Sequence, residues 1–205
     1  MTARAHWDDV WATSDATQLS WHQDVPEVSF ELVAAAGLEL PDPLVDIGGG
    51  VSPLVMGLAR RGFRDLTVVD VAAPALHRLG LDLEAAFGGH EVALVCCDIL
   101  EWRPTRRYSL WHDRAVNHFL VEAADRRTYA ETLTDAVMTG GYAILASFAP
   151  DGPDHCSGLP VHRDDPDRLA GTFAPAFALC SVTRELHRTP WNTTQAFQYL
   201  LLRRR

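Results

Sequence analysis

The chain has 205 residues, a net charge of −9, 47% hydrophobic residues and 22% charged residues. This is the composition of an ordinary soluble globular chain, long enough to bury a core without disulfides, and its acidity excludes the basic footprint of a phosphate-backbone binder. All 18 basic residues are arginine, so a P-loop lysine, a lysine Schiff base to pyridoxal phosphate and a Tyr-x-x-x-Lys dehydrogenase site are excluded too.

The opening stretch, MTARAHWDDVW, has no apolar signal core. No apolar run approaches the ~18 residues of a membrane span. The cysteines, Cys96, Cys97, Cys156 and Cys180, form no C-x-x-C and no disulfide framework. A reducing, cytoplasmic location is expected, with no membrane partner. One domain is expected over residues 1–205, with 1–40 as a helical lid segment and 41–205 as the core.

The first 40 residues are polar and rich in tryptophan, with Trp7, Trp11 and Trp21. Residues 26–36 read as a helix that Gly37 ends. Residues 44–47 are a short apolar strand running into Gly48-Gly49-Gly50. Residues 53–61 are helical, with Pro53 in the first turn and Gly62 as the stop. A strand over 66–69 ends at Asp70, and a helix over 74–87 closes at Gly88-Gly89. A strand over 92–96 ends near Asp98, with Cys96-Cys97 expected to finish it as a buried strand. A strand over 108–111 ends at His112-Asp113. A helix over 123–138 closes at Gly140-Gly141, and residues 142–148 are a strand. This alternation predicts a doubly wound α/β fold with a mostly parallel sheet and helices on both faces. Residues 177–187 and 191–202 are both strand-like and joined too tightly for a parallel crossover, so they predict an antiparallel hairpin at the sheet edge.

In such sheets ligands bind beyond the carboxyl ends of the strands. Asp46, Asp70, Asp98 and Asp113 lie at four of those ends. Glycines after the first strand let the backbone turn tightly against a ligand, and the next helix aims its N-terminus there. A dinucleotide fingerprint needs G-x-G-x-x-G/A, but Pro53 occupies the third small position. Asp46, just before the glycines, suits a cationic ligand better than a pyrophosphate. Asp70 can accept from both hydroxyls of a ribose, and Asp98 from an adenine amine.

With these motifs the chain resembles the class I S-adenosylmethionine-dependent methyltransferases over essentially its whole length. The acid-x-Gly-x-Gly pattern matches Asp46-Ile47-Gly48-Gly49-Gly50, the ribose acid matches Asp70, and the adenine-contacting pair matches Asp98-Ile99. The segment after the fourth strand matches 111–114 leading to Asn117-His118-Phe119. The resemblance implies a Rossmann-like fold, S-adenosylmethionine as cofactor, and cofactor contacts from Asp46, Gly48, Gly49, Gly50, Asp70, Val71, Asp98, Ile99, Asp113 and Trp21.

Methyl transfer from a sulfonium needs alignment, exclusion of water and sometimes a proton acceptor. His112 and His118, at the fourth-strand exit, are the candidate bases; otherwise they orient loops or pack. Arg114 either binds a substrate carboxylate or pairs with Asp113. Asn117, Cys156 and His22 are expected to line the substrate pocket, with the Gly- and Pro-rich loop 150–160 as its wall. His155, Cys156 and His162 lack a zinc spacing, and no metal is expected. The Ser20-Trp21-His22-Gln23 stretch reads as a lid. A small-molecule acceptor is the first reading and a protein lysine the alternative. Nucleic acid is not expected, because no Asn-Pro-Pro-Tyr or Asp-Pro-Pro-Tyr motif follows the fourth strand.

Overall fold

The computed structural model describes residues 2–89 and 92–205. In chain order the elements are α1 (Ala3–Thr13), α2 (Glu27–Ala35), β1 (Leu44–Ile47), α3 (Pro53–Arg60), β2 (Leu66–Asp70), α4 (Ala73–Phe87), β3 (Ala93–Cys96) and β4 (Tyr108–Arg114). There follow α5 (Ala123–Ala136), β5 (Val137–Phe148), the two-residue strands β6 (His155–Cys156) and β7 (Leu159–Pro160), α6 (Pro166–Phe173), β8 (Phe177–Arg188) and β9 (Thr194–Arg204). The seven-stranded sheet has the order β3-β2-β1-β4-β5-β9-β8. Strands β1 to β5 run parallel, while β9 is antiparallel to both β5 and β8. The doubly wound sheet and its terminal hairpin are therefore as expected. No helix of the described residues is long and apolar enough to cross a membrane.

Period-two alternation sorts the strand side chains between two cores. Leu44 of β1 and Leu110 of β4 join the core under α2, α3 and α4, with Leu32, Leu58 and Leu79. Val45 and Trp111, one residue on, join the opposite core with Leu133 of α5 and Phe173 of α6. Helix boundaries follow local chemistry. Ser52 caps α3 by accepting from the Val55 N–H (3.0 Å) with Pro53 in the first turn. Gly88, at φ +66°, ends α4 where a side chain would be strained. Asp165 caps α6, again followed by proline.

Three expectations are corrected. Strand β4 runs on through His112, Asp113 and Arg114, because β5 continues to pair with it. Helix α5 stops at Ala136 and the chain passes directly into β5. Gly140 and Gly141 lie inside that strand, at the irregularity where pairing jumps from Val137 to Tyr142. Strand β3 is a largely exposed edge, so Cys96 is exposed rather than buried. The connection from β3 to β4 holds no helix among the described residues. Trp102 fills that place, packed against Tyr108 and Trp111 with ring centroids 6.3 and 6.0 Å away.

The β4–α5 contact contains a closed polar chain. Trp111 Nε1–H donates to the Tyr129 hydroxyl (3.0 Å), and that hydroxyl donates to Asp113. All three residues are fully buried. Tyr129→Phe leaves the Trp111 N–H unpaired and takes one of three donors from Asp113, and should lower the unfolding free energy by about 1–3 kcal/mol. Urea denaturation checks this, with a lower midpoint and an unchanged slope.

Candidate functional site

The order of the sheet reverses between β1 and β4, the position where doubly wound sheets bind ligands. Two cavities open there. The larger reaches Asp70, Val71, Asp98 and Ile99 at one end and Arg114, Phe119 and Cys156 at the other. The smaller lies over Asp46, Ser52 and His112. Both touch Trp11, Trp21, Ile47, Gly48 and Arg114.

The glycine turn sets the wall between them. Gly48 has φ +61°, and a Cβ there would run into the Val116 side chain; a Cβ on Gly50, at φ +56°, would meet the Trp11 ring at 2.6 Å. The Gly50 N–H and the Ala72 N–H donate to the two oxygens of Asp70, each at 2.8 Å. This fixes the carboxylate at the rim of the cavity. Burial pushes its pKa up to about 6, against the lowering effect of those hydrogen bonds. Asp98 is half-buried and its Oδ1 accepts from the Leu100 N–H at 3.0 Å.

Asp46 takes a different part. His112 stands beside it in the β1–β4 register, and both point toward α2. His112 Nδ1 lies 2.7 Å from Asp46 Oδ1, and His112 Nε2 lies 2.9 Å from the Ser29 hydroxyl of α2. The Ser52 hydroxyl donates to Asp46 Oδ2 at 2.5 Å. An Nδ1–H donated to Asp46 leaves Nε2 as the acceptor for Ser29. Both ring nitrogens are thus occupied, and His112 lines only the smaller cavity.

That arrangement leaves no ring nitrogen of His112 without a partner and agrees with its loop-orienting reading. His118 is placed as its packing reading has it. It is buried, lines neither cavity, and its Nδ1 accepts from the Phe148 N–H (3.4 Å) between the rings of Phe119 and Phe148. Burial, with Arg114 nearby, drives its pKa down to about 3. Asp113 is not at the cavity either. Alternation turns it to the α5 face, where the Val116 N–H, the Asn117 N–H and Tyr129 donate to it. Burial raises its pKa to about 6. Asn117 is buried and lines neither cavity.

Arg114 is not paired with Asp113. Its Nε donates to the Tyr199 hydroxyl and its Nη1 to the Trp21 carbonyl, both at 3.0 Å. Its nearest carboxylate is Glu185, at 3.9 Å. Cys156 is buried in the cavity wall, and burial holds its thiol up at about 11, so it stays neutral. His22 lines the smaller cavity and contacts Asp24 (3.1 Å).

Several lining residues were not anticipated. Trp7 and Trp11 of α1 stand over the cavities with Trp21; Trp7 packs edge-on to Trp21 and Phe119, with centroids 5.7 and 5.1 Å apart. Their four-residue spacing puts both on one helix face, a signal available in the sequence. Val116, Leu120 and Asp125 also line the larger cavity. Ser29 carried no sequence signal, since only folding brings α2 to His112.

No protein-family model matches the chain, and no curated protein matches it. Solved structures do match in fold: the chain has the fold seen in S-adenosylmethionine-dependent methyltransferases. One is an Anabaena variabilis S-adenosylmethionine-dependent methyltransferase, 15% identical, covering 100% of this chain and 96% of that one, with TM-score 0.75. A second is the N-methyltransferase NodS of Bradyrhizobium japonicum in complex with S-adenosylhomocysteine, 15% identical over 98% and 97%, with TM-score 0.73. A third is the Burkholderia thailandensis 1,6-didemethyltoxoflavin-N1-methyltransferase with bound 1,6-didemethyltoxoflavin and S-adenosylhomocysteine, 21% identical over 96% and 81%, with TM-score 0.71.

The Asp46–His112 pair gives a direct test of this geometry. His112→Ala leaves the buried Asp46 carboxylate short of a charge-stabilising partner. The expected cost is about 1–3 kcal/mol, read as a lower midpoint in urea denaturation.

Proposed function

We propose that the protein is an S-adenosylmethionine-dependent methyltransferase acting on a small molecule. One observation carries this reading. A single cavity joins two acids at the ends of β2 and β3 to an aromatic, arginine-bearing end beyond β4, past a turn that excludes side chains. The residues fit an adenosyl group. Asp70 is held by two backbone donors, and each carboxylate oxygen keeps a lone pair for a ribose hydroxyl. Asp98 and Ile99 stand where an adenine edge and face would be met.

When bound, this cofactor supplies a methyl group on a positively charged sulfur, already activated for in-line displacement. The chain's own part is binding, orientation and exclusion of water. Asp70 and Asp98 hold the adenosine, Gly48 permits close backbone approach, and Trp7, Trp11 and Trp21 cover the site. No histidine lines the larger cavity among the described residues, so proximity and desolvation carry the catalysis we propose. The solved methyltransferase NodS carries S-adenosylhomocysteine in the same fold, which supports the reading. A protein lysine is disfavoured as acceptor, because the far end of the cavity presents Arg114 and would repel a second cation.

Asp70→Ala should weaken S-adenosylhomocysteine binding roughly 10- to 100-fold, the loss of a charged hydrogen-bond partner. Isothermal calorimetry on the folded variant measures it. Asp70 accepts best as a carboxylate and its pKa stands at about 6. Wild-type affinity should therefore hold above pH 7 and decline as pH falls through about 6. Unchanged affinity in both experiments rejects the adenosyl site. Donor consumption with a panel of phenols, thiols, amines and carboxylates then identifies the acceptor.

A further inference from the structure

The guanidinium of Arg114 is the unusual feature of this site. It lines both cavities, yet only 10% of its side chain is exposed. Nε and Nη1 are bonded, and the group lies over the Phe197 ring at 4.4 Å. Nη2 has no hydrogen-bond partner. Glu185 does not supply one. Its Oε1 accepts from Gln23 Nε2 (2.8 Å) and its Oε2 from the Tyr199 hydroxyl (2.7 Å), leaving Arg114 Nη2 3.9 Å away. A buried charged donor left unmade is costly, and the same contacts that orient the guanidinium prevent it from turning to water.

Charge narrows what belongs there. Arg114 is the one arginine among the described residues lining either cavity; the acids there are Asp46, Asp70, Asp98 and Asp125. Around it stand Trp7, Trp21, Phe119 and the neutral thiol of Cys156. The same segment holds two more buried nitrogens without partners, Asn117 Nδ2 and His118 Nε2. Neither residue lines a cavity, so Arg114 is the one that meets a ligand. Nη2 has the Glu185 carboxylate 3.9 Å away but no hydrogen bond to it, and a planar cation placed so beside aromatic rings selects a carboxylate that can complete the bond.

We propose that the methyl acceptor is an organic acid whose carboxylate accepts from Arg114 Nη2, with its apolar body against Trp7, Trp21 and Phe119. This deepens the methyltransferase reading and rests on it. The cofactor also carries a carboxylate, so the test must separate the two sources. Calorimetry on protein loaded with S-adenosylhomocysteine compares benzoate and indole-3-acetate with their primary amides. At least one acid should bind, with its amide about tenfold weaker or worse. Arg114→Met should abolish that preference while changing S-adenosylhomocysteine and methylthioadenosine affinity by the same factor, within about threefold of each other. Glu185→Gln, which removes the competing carboxylate, should tighten acid binding and leave the amide unchanged; this variant decides the matter if Arg114→Met does not fold.

The proposal is overturned if neither acid binds, if acid and amide bind alike, or if Glu185→Gln leaves acid affinity unchanged. It is also overturned if Arg114→Met weakens S-adenosylhomocysteine tenfold or more while methylthioadenosine, which lacks the carboxylate, binds both proteins equally. That pattern assigns Arg114 to the cofactor. Failure of the wild type to bind S-adenosylhomocysteine is a different result: it rejects the methyltransferase reading, and the acid–amide comparison is then read on the ligand-free protein.

Discussion

The buried carboxylate of Asp46 is the point on which the site's construction turns. Its two oxygens hold His112 from β4 and Ser52 at the start of α3. Through His112 it also holds Ser29 of α2. Four elements therefore converge on one charge at the point where the order of the sheet reverses. Burying such a charge is unfavourable unless all of its partners are present. Each hydrogen bond thus enforces the others, and the glycine turn between Asp46 and Ser52 has no freedom to drift. The turn's position in turn fixes Asp70, whose Oδ2 accepts from the Gly50 N–H.

Strand alternation explains why acids so close in the fold do different work. Asp46 and Asp113 sit at adjacent strand ends, yet one faces α2 and α3 while the other faces α5. Asp46 builds the turn. Asp113 instead fixes the turn after β4, accepting from the Val116 and Asn117 N–H groups and from Tyr129. Asp70 and Asp98, on the other side of β1, remain at the cavity. An acid at a strand end is thus compatible with a ligand contact or with a cap, and the helix packed behind it decides which.

That distinction marks the limit of what the chain alone conveys. Strand β1 and the hairpin of β8 and β9 are legible, because apolar runs bounded by glycine and a short connection leave little choice. The acid–glycine–acid spacing of Asp46, Gly48 and Asp70 is legible for the same reason: it is local. The helix α1 is not, since it buries no residue and lacks a strong apolar stripe; its Trp7 and Trp11 pair is the remaining trace. Helix α6 was not anticipated either, although Asp165-Pro166, a cap followed by a first-turn proline, was a local signal for it. Gly140-Gly141 reads equally as a helix stop or a strand irregularity, and only pairing with β4 resolves it. The roles of His112 and His118 depend on Ser29 and Phe148, far away in sequence, so no spacing rule reaches them.

The same network also accounts for how a polar N-terminal segment stays in place. The Trp21 carbonyl accepts from Arg114, the Ser20 carbonyl lies 2.8 Å from His187 Nε2, and Gln23 donates to Glu185. Nearer the N-terminus, Asp8 Oδ1 accepts from the Ala73 N–H (3.1 Å) and supplies α4 with the cap that Ala72 cannot. These anchors lie on β4, the hairpin and α4, on both sides of the cavities. These polar anchors add to the ring contacts of Trp7 and Trp11 with Trp21 and of Trp7 with Phe119. Together they explain how α1, which buries no residue of its own, keeps one place over the carboxyl ends of the strands.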